Sequence, residues 1–289
     1  MSAEAVTPPP AEPPIAPAEP STFRKAMKQK RFVAGLAITL LLVAFVIAGP
    51  YLAPFGETEV AGPPFSKEGL LGTDYLGSDV LSRVMHGGQA ILVIALLGTV
   101  LGMALGIAIG VVAAYAGGWW DEIIMRGNDV ILSFPQILLA LLVLTALQRP
   151  TAWILIVLVG VSHAPRVARL ARGVALGIVS RDFVIAAEAL GESRLRVIMA
   201  EVLPNMNAPL LAEAGLRLTY SIGIVAAVGF LGFATNPGAA DWGVMINENR
   251  LALLVQPWGV LAPVIIIGIF TVGTNLMADG IAQLAGRGD

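Results

Sequence analysis

RDFVIAAEALGESRLRVIMAEVLPN, residues 181–205, is a charged, helix-favouring segment set between long apolar runs. A chain this apolar has little reason to carry such a segment unless something docks on it. Ala186, Ala187, Glu188, Ala189 and Leu190 are good helix formers, and Gly191 follows where that helix can break. A second short helix is expected to end near Leu203 and Pro204.

Outward from this segment, composition sets the class. Apolar residues make up 56% of the chain against 13% charged, which points to a membrane protein. A net charge of -2 leaves no basic stripe for a nucleic-acid partner. With 0 Cys, disulfides, thiolate metal sites and Cys nucleophiles are excluded, and the two His, His86 and His163, are too few for a His-rich metal site.

Six apolar segments fall at approximately 32–53, 90–115, 130–148, 151–170, 209–233 and 257–278, each near the roughly 20 residues a bilayer demands. The expected fold is an all-α membrane protein with six transmembrane helices. The fourth helix is expected to continue past Pro165, carrying Arg166, Arg169 and Arg172 at three-residue spacing on one polar face. Pro135 in the third helix and Pro263 in the sixth are candidate bends.

Residues 1–22, rich in Pro, Ala and Glu, read as a disordered cytoplasmic tail. A basic run, FRKAMKQKR, then precedes an apolar stretch too long for a signal core, hence an uncleaved first helix. Placing the N-terminus inside gives the cytoplasmic side Arg24, Lys25, Lys28, Lys30, Arg31, Arg126, Arg166, Arg169, Arg172, Arg181, Arg194, Arg196 and Arg287. The outer side keeps Lys67, Arg83, Arg149 and Arg250. That bias puts both termini and the 181–205 segment in the cytosol.

Gly98, Gly102, Gly106 and Gly110 repeat every four residues along the second helix, leaving a groove for close helix packing. Glu213 and Arg217 stand in the preferred order for an intrahelical ion pair, and charge at that depth is a functional candidate. Asp74 and Asp79, with Arg83 just beyond, lie in a Gly-rich outer segment. Two acids in such a turn read as local hydrogen bonding and no metal site. Asp241, Glu248 and Arg250 read as solvated charges of a later outer loop.

The 181–205 segment resembles the loop signature of inner-membrane permease subunits of ABC importers: Glu-Ala-Ala, three residues, Gly, nine residues, Ile, one residue, Leu-Pro. Ala186, Ala187, Gly191, Leu203 and Pro204 fall in that register, while Ile185 takes the Glu position and Glu201 the Ile position. Leu71, Gly72, Thr73, Asp74, Gly77, Asp79, Ser82 and Arg83 resemble a segment of the peptide and nickel branch. Residues 117–135, Trp242-Gly243, Pro257-Trp258, Asn275-Leu276 and Asp279-Gly280 are similar to further elements of that family. Within it the chain looks most like the second, C-type subunit of dipeptide or oligopeptide permeases.

The resemblance implies the type I importer permease fold, one N-terminal helix (within residues 23–75) ahead of a five-helix transport core (76–289). It implies that 181–205 is the coupling loop, with Ile185, Ala186, Ala187, Glu188, Gly191, Leu203 and Pro204 facing a separate ATPase. The implied partners are a second homologous permease, one or two ABC ATPase subunits or domains, an extracytoplasmic peptide-binding protein and the lipid bilayer. None of the four Lys stands in P-loop spacing. The chain is therefore expected to be no enzyme, to have no catalytic residue and to bind no cofactor, with ATP and Mg held by the partner ATPases.

Peptides are the expected substrate, with nickel chelates or glutathione as alternatives in the same family. A secondary transporter driven by an ion gradient is a weaker reading, because no internal repeat is evident. Gly160-Val161-Ser162-His163 could suggest an intramembrane hydrolase. Adjacent helix residues point about 100° apart, which argues against a Ser-His pair there.

Overall fold

A computed structural model describes residues 26–147, 151–233 and 238–285. The Pro-rich tail 1–22, Arg24, Lys25, Arg149 and Arg287 lie outside the described residues. The long helices are α1 (Lys30–Leu52), α3 (Gly88–Ala116), α6 (Ala152–Val179), α9 (Asn207–Phe230) and α11 (Trp258–Ala285). The shorter ones are α2 (Val80–His86), α4 (Gly118–Leu132), α5 (Gln136–Leu147), α7 (Asp182–Ala189), α8 (Arg194–Val197) and α10 (Trp242–Asn249).

Five of these helices are long and apolar enough to cross a membrane, and α4 with α5 forms a sixth, broken span bent by 75°. The third helix expected over 130–148, with a bend at Pro135, is two helices that break just before Gln136. Pro135 has no N–H to carry the ladder across, and three polar contacts hold α4 on α6. Asn128 Nδ2 donates to Pro165 O at 2.8 Å, Asp129 pairs with Arg169 at 2.7 Å, and Asp121 takes the Arg172 guanidinium on both oxygens. Pro165 and Pro263 both lie inside continuous helices.

The seam between α3 and α6 is the tightest helix contact. Gly98, Gly102, Gly106 and Gly110 are all buried there, and the two helices run parallel, with Gly98 beside Val159 and Gly110 beside Ala171. A Cβ built on Gly102 would stand 2.9 Å from both Gly160 O and His163 Cβ. Lipid tails are as apolar as the side chains, so this backbone-to-backbone approach, rather than water exclusion, holds the helices together.

Two cores stack along the bundle. One gathers Val46, Val84, Ile91, Leu155, Ile222, Trp242 and Phe270 toward the end that carries residues 55–79 and α10. The other gathers Val111, Ala171, Ile178, Val184, Val197, Val202 and Met206 at the end that carries residues 182–205. The second core fastens α7 and α8 to the bundle.

A Cβ at Gly106 meets Ala164 O at 2.7 Å, whereas one at Gly127 has nothing within 4 Å. Gly106→Ala is expected to cost about 1–3 kcal/mol by overpacking. Gly127→Ala should be neutral or gain up to about 1 kcal/mol from helix propensity. Thermal unfolding of the two variants in detergent checks this, and equal losses would show that the seam is not tightly packed.

Candidate functional site: the 182–205 segment and the buried polar groups

Residues 182–205 form a two-helix bracket. α7 ends in a paired-bond stop in which Gly191 N–H donates to Glu188 O at 3.0 Å and Glu192 N–H to Ala187 O at 3.2 Å. That stop needs the left-handed backbone found at Gly191, φ +85°. Ser193 caps α8, and Glu192 pairs with Arg196 at 2.6 Å across one turn. The helix then widens into a π turn over Ile198–Val202, where Leu203 N–H reaches back to Ile198 O. Pro204 lacks the N–H that an ordinary turn would use next, and the chain ends this helix at Asn205. The second helix thus reaches one residue past Pro204.

One side of the bracket is bound to the bundle. Val184, Val197 and Val202 are buried, with Ala187 and Leu203 packed partly against them. Tyr115, at the end of α3, donates its hydroxyl to Glu188 Oε1. The other side is open: Leu190 is 85% and Leu195 71% exposed, with Phe183, Ile185 and Met199 beside them. A cleft of about 370 Å³ between the helices is lined by Phe183, Ala186, Leu190, Glu192, Arg196 and Glu201, among others. Ile185, Ala186 and Glu201 therefore stand at or near the open face. Glu188 is turned toward Tyr115 and orients α7.

Inside the bundle a chain of hydrogen bonds crosses four helices. Arg166 Nη1 donates to Gln136 Oε1 at 3.4 Å, which leaves the Gln136 amide nitrogen for Ser162 Oγ at 2.6 Å and His163 Nδ1 at 3.2 Å. With Nδ1 accepting, His163 Nε2–H donates to Ser221 Oγ at 2.9 Å, and Ser221 bonds Thr99 at 2.8 Å. Ser162 donates to Val159 O, and no hydrogen bond joins it to His163.

Glu213 and Arg217 do pair, at 2.8 Å and almost fully buried. Arg217 Nε nevertheless lacks hydrogen-bond geometry, so the contact is Coulombic, and the guanidinium carbon lies 5.0 Å from the Tyr220 ring centre.

At the 55–79 end Asp79 acts locally, and Asp74 accepts both local N–H groups and the Arg83 guanidinium. Asp74 Oδ1 accepts from Leu76 and Ser78 N–H, both at 2.9 Å, and Asp79 caps α2 through Ser82. Arg83 joins Asp74 to Glu248, the latter at 3.0 Å, and Tyr75 donates to Glu248 at 3.1 Å. Burial, then the Glu248 charge, pushes the Tyr75 phenol above its ordinary value. The reading of Asp241 and Glu248 as solvated charges is corrected. Asp241 caps α10 by accepting from Gly243 and Val244 N–H, and burial raises its carboxyl above the usual range. Arg250 stays exposed.

The chain matches the family described as binding-protein-dependent transport system inner membrane component over residues 106–287. It also matches the N-terminal TM domain of oligopeptide transport permease C over 21–64. The chain belongs to this permease family. A dipeptide transport system permease protein of Alkalihalophilus pseudofirmus is 30% identical, covering 90% of this chain and 86% of that protein. A di/tripeptide transport permease of Pseudomonas aeruginosa is 32% identical over 87% of this chain and 86% of its own length. A glutathione transport permease of Escherichia coli is 30% identical over 90% and 87%. The fold is that of an inward-facing methionine ABC transporter structure, with TM-score 0.55 and 18% identity over 69% of this chain and 96% of that one. The protein is a multi-pass membrane permease of the ABC-importer class.

Two features of the permease escaped the sequence reading. Leu195 and Met199 stand four residues apart on the open side of the bracket, a spacing that could have marked an exposed stripe. Tyr115 carried no signal, because its partner is 73 residues away.

Arg83 is 3% and Asp74 0% exposed. Arg83→Gln should strand a buried carboxylate and cost about 3–5 kcal/mol. Asp79→Ala should cost about 1 kcal/mol, the value of a helix cap. Melting temperatures of the two variants in detergent check the ranking, and equal losses would remove Arg83 from its role as the link to Glu248.

Proposed function

We propose that this permease carries short peptides inward across the bacterial plasma membrane, paired with a second, homologous permease. Cytosolic ATPase subunits sit on residues 182–205, and an extracytoplasmic binding protein delivers peptide at the 55–79 end. Both termini are cytoplasmic in this arrangement, and the ATPases supply ATP and Mg. The observation that carries the reading is the open apolar face of Leu190, Leu195 and Met199, presented on a bracket whose other side is locked into the bundle. An apolar patch on a rigid frame is suited to a protein groove. Because α7 hangs on Tyr115 and α8 on the second core, a push on the bracket is delivered to α3 and α6 together. Ile185 and Glu201, which depart from the family signature, set the local chemistry that the ATPase groove must match.

Peptide as cargo is supported by the dipeptide and di/tripeptide names of two relatives. A second reading, glutathione, is favoured by another relative of similar identity.

Leu195→Asp places a charge in the docking face and Gly191→Pro breaks the stop between α7 and α8. Each should lower the ATPase recovered with tagged permease by about tenfold or more, while the second permease stays bound. Recovery at the wild-type level for both variants sinks the docking assignment. Uptake of labelled dipeptide or of glutathione by proteoliposomes holding the whole importer decides the cargo, and import of neither sinks the peptide reading.

A further inference from the structure

Three arginines follow one another on α6, and their environments differ. Arg169 has Asp129 and Arg172 has Asp121. Among the described residues no carboxylate lies within ion-pair reach of Arg166. Among those residues its guanidinium makes one long hydrogen bond, to Gln136 Oε1 at 3.4 Å.

Depth makes that vacancy informative. At about 1.5 Å per helical residue, Arg166 lies about 20 Å along α6 from Ala152. Arg217 lies about 20 Å along α9 from Phe230, its end on the same side. Both lie near the middle of helices that are candidate membrane spans, within a hydrocarbon layer about 30 Å thick and not on the cytoplasmic side where the sequence reading puts Arg166. Arg166 is nonetheless exposed, and an arginine facing lipid at that depth costs several kcal/mol, roughly 3 or more. The side of α6 that bears it must face water or protein.

The neighbouring surface agrees. On α4 the exposed residues sort into an apolar side, with Trp119, Ile123 and Val130, and a polar side, with Glu122, Arg126 and Asp129. Glu122 pairs with Arg126 at 3.6 Å and Asp129 with Arg169 at 2.7 Å. The polar side of α4 thus runs alongside Arg169 toward Arg166, and the charges on it are already matched. Deeper in, Glu213 is paired with Arg217 at 2.8 Å, which leaves Arg166 without an acid among the described residues. Among the described residues of this polar layer, Arg166 is the exposed cation without a carboxylate partner.

We propose that Arg166, oriented by Gln136, is a subsite on the translocation path that takes the C-terminal carboxylate of a peptide in transit. The assignment rests on the peptide reading of the cargo and adds to it the group that the membrane path recognises. A guanidinium fits a carboxylate in a two-pronged, planar contact. The terminal carboxylate is also the anion that every unmodified peptide carries whatever its side chains. One contact of this kind allows a path to accept many sequences. The Gln136 anchor sits immediately after the break between α4 and α5, so a change in that bend would move the guanidinium and its guest together.

The test uses the complete importer in proteoliposomes with ATP inside, and two forms of one dipeptide, free acid and C-terminal amide, each delivered by saturated binding protein. Wild type is expected to carry the acid about tenfold faster than the amide, the value of a charge-assisted hydrogen bond. Arg166→Gln should bring that ratio to about one, and Arg166→Lys should leave it between the two. Arg169→Gln, whose parent guanidinium is committed to Asp129, should keep the wild-type ratio. Because the chain has 0 Cys, Arg166→Cys offers a further readout. An ammonium-bearing thiol reagent should restore the preference for the acid, and a sulfonate-bearing one should not. Dipeptide uptake by wild type with an unchanged acid-to-amide ratio in Arg166→Gln overturns the subsite while leaving the cargo assignment standing. Absence of dipeptide uptake by wild type overturns both.

Discussion

The close approach of α3 and α6 is the constraint on which the rest of the bundle depends. Four glycines on α3 let two parallel backbones come within van der Waals reach of Val159, Gly160, Ala164 and Ala168. Parallel helices joined so tightly must share their ends, and both ends matter. At one, Tyr115 and the α6 terminus frame the 182–205 bracket. At the other, the chain enters α3 directly from the Arg83 helix and its ion pairs. The seam behaves as a rod, because a glycine interface has little side-chain freedom to absorb a displacement. The seam runs from the bracket to the polar layer, where His163 reaches Ser221 on α9.

Much of this was legible in the sequence because the determining signals are local. A four-residue glycine repeat names its own interface, the Glu213–Arg217 spacing names its own pair, and Gly191 names the stop of α7. What could not be read depended on distant partners. Glu248 looked solvated because Arg83 lies 165 residues away, and the bond from Tyr115 to Glu188 spans 73 residues and is invisible from either helix alone. The third span was legible in part, because Pro135 marked the bend but not its size. Its apolar run is real, but hydropathy says nothing about whether the hydrogen-bond ladder can pass Pro135. The acids that bind α4 to α6 lie in a stretch that hydropathy assigns to a loop.

The two ends of the bundle use opposite strategies with charge. At the 55–79 end, Asp74, Arg83, Tyr75 and Glu248 consume one another in a buried knot that joins segments far apart in sequence. At the 182–205 end, charges stay near the surface in short-range pairs such as Glu192 with Arg196, and apolar residues are left open. The first arrangement is specific and resists change, since removing any member strands another. The second keeps its charges in water and leaves its apolar surface to be covered.

The two halves of the broken span differ in how they are held. α4 is fastened to α6 by three directional polar contacts, whereas α5 is seated mainly through apolar residues such as Ala140 and Leu144, with Gln136 as its polar tether. Polar contacts are directional, whereas apolar packing depends on shape and has no fixed angle. The elbow at Ser133–Pro135 therefore joins an arm held by direction to an arm held by shape, and which half is which is written in where the acids fall.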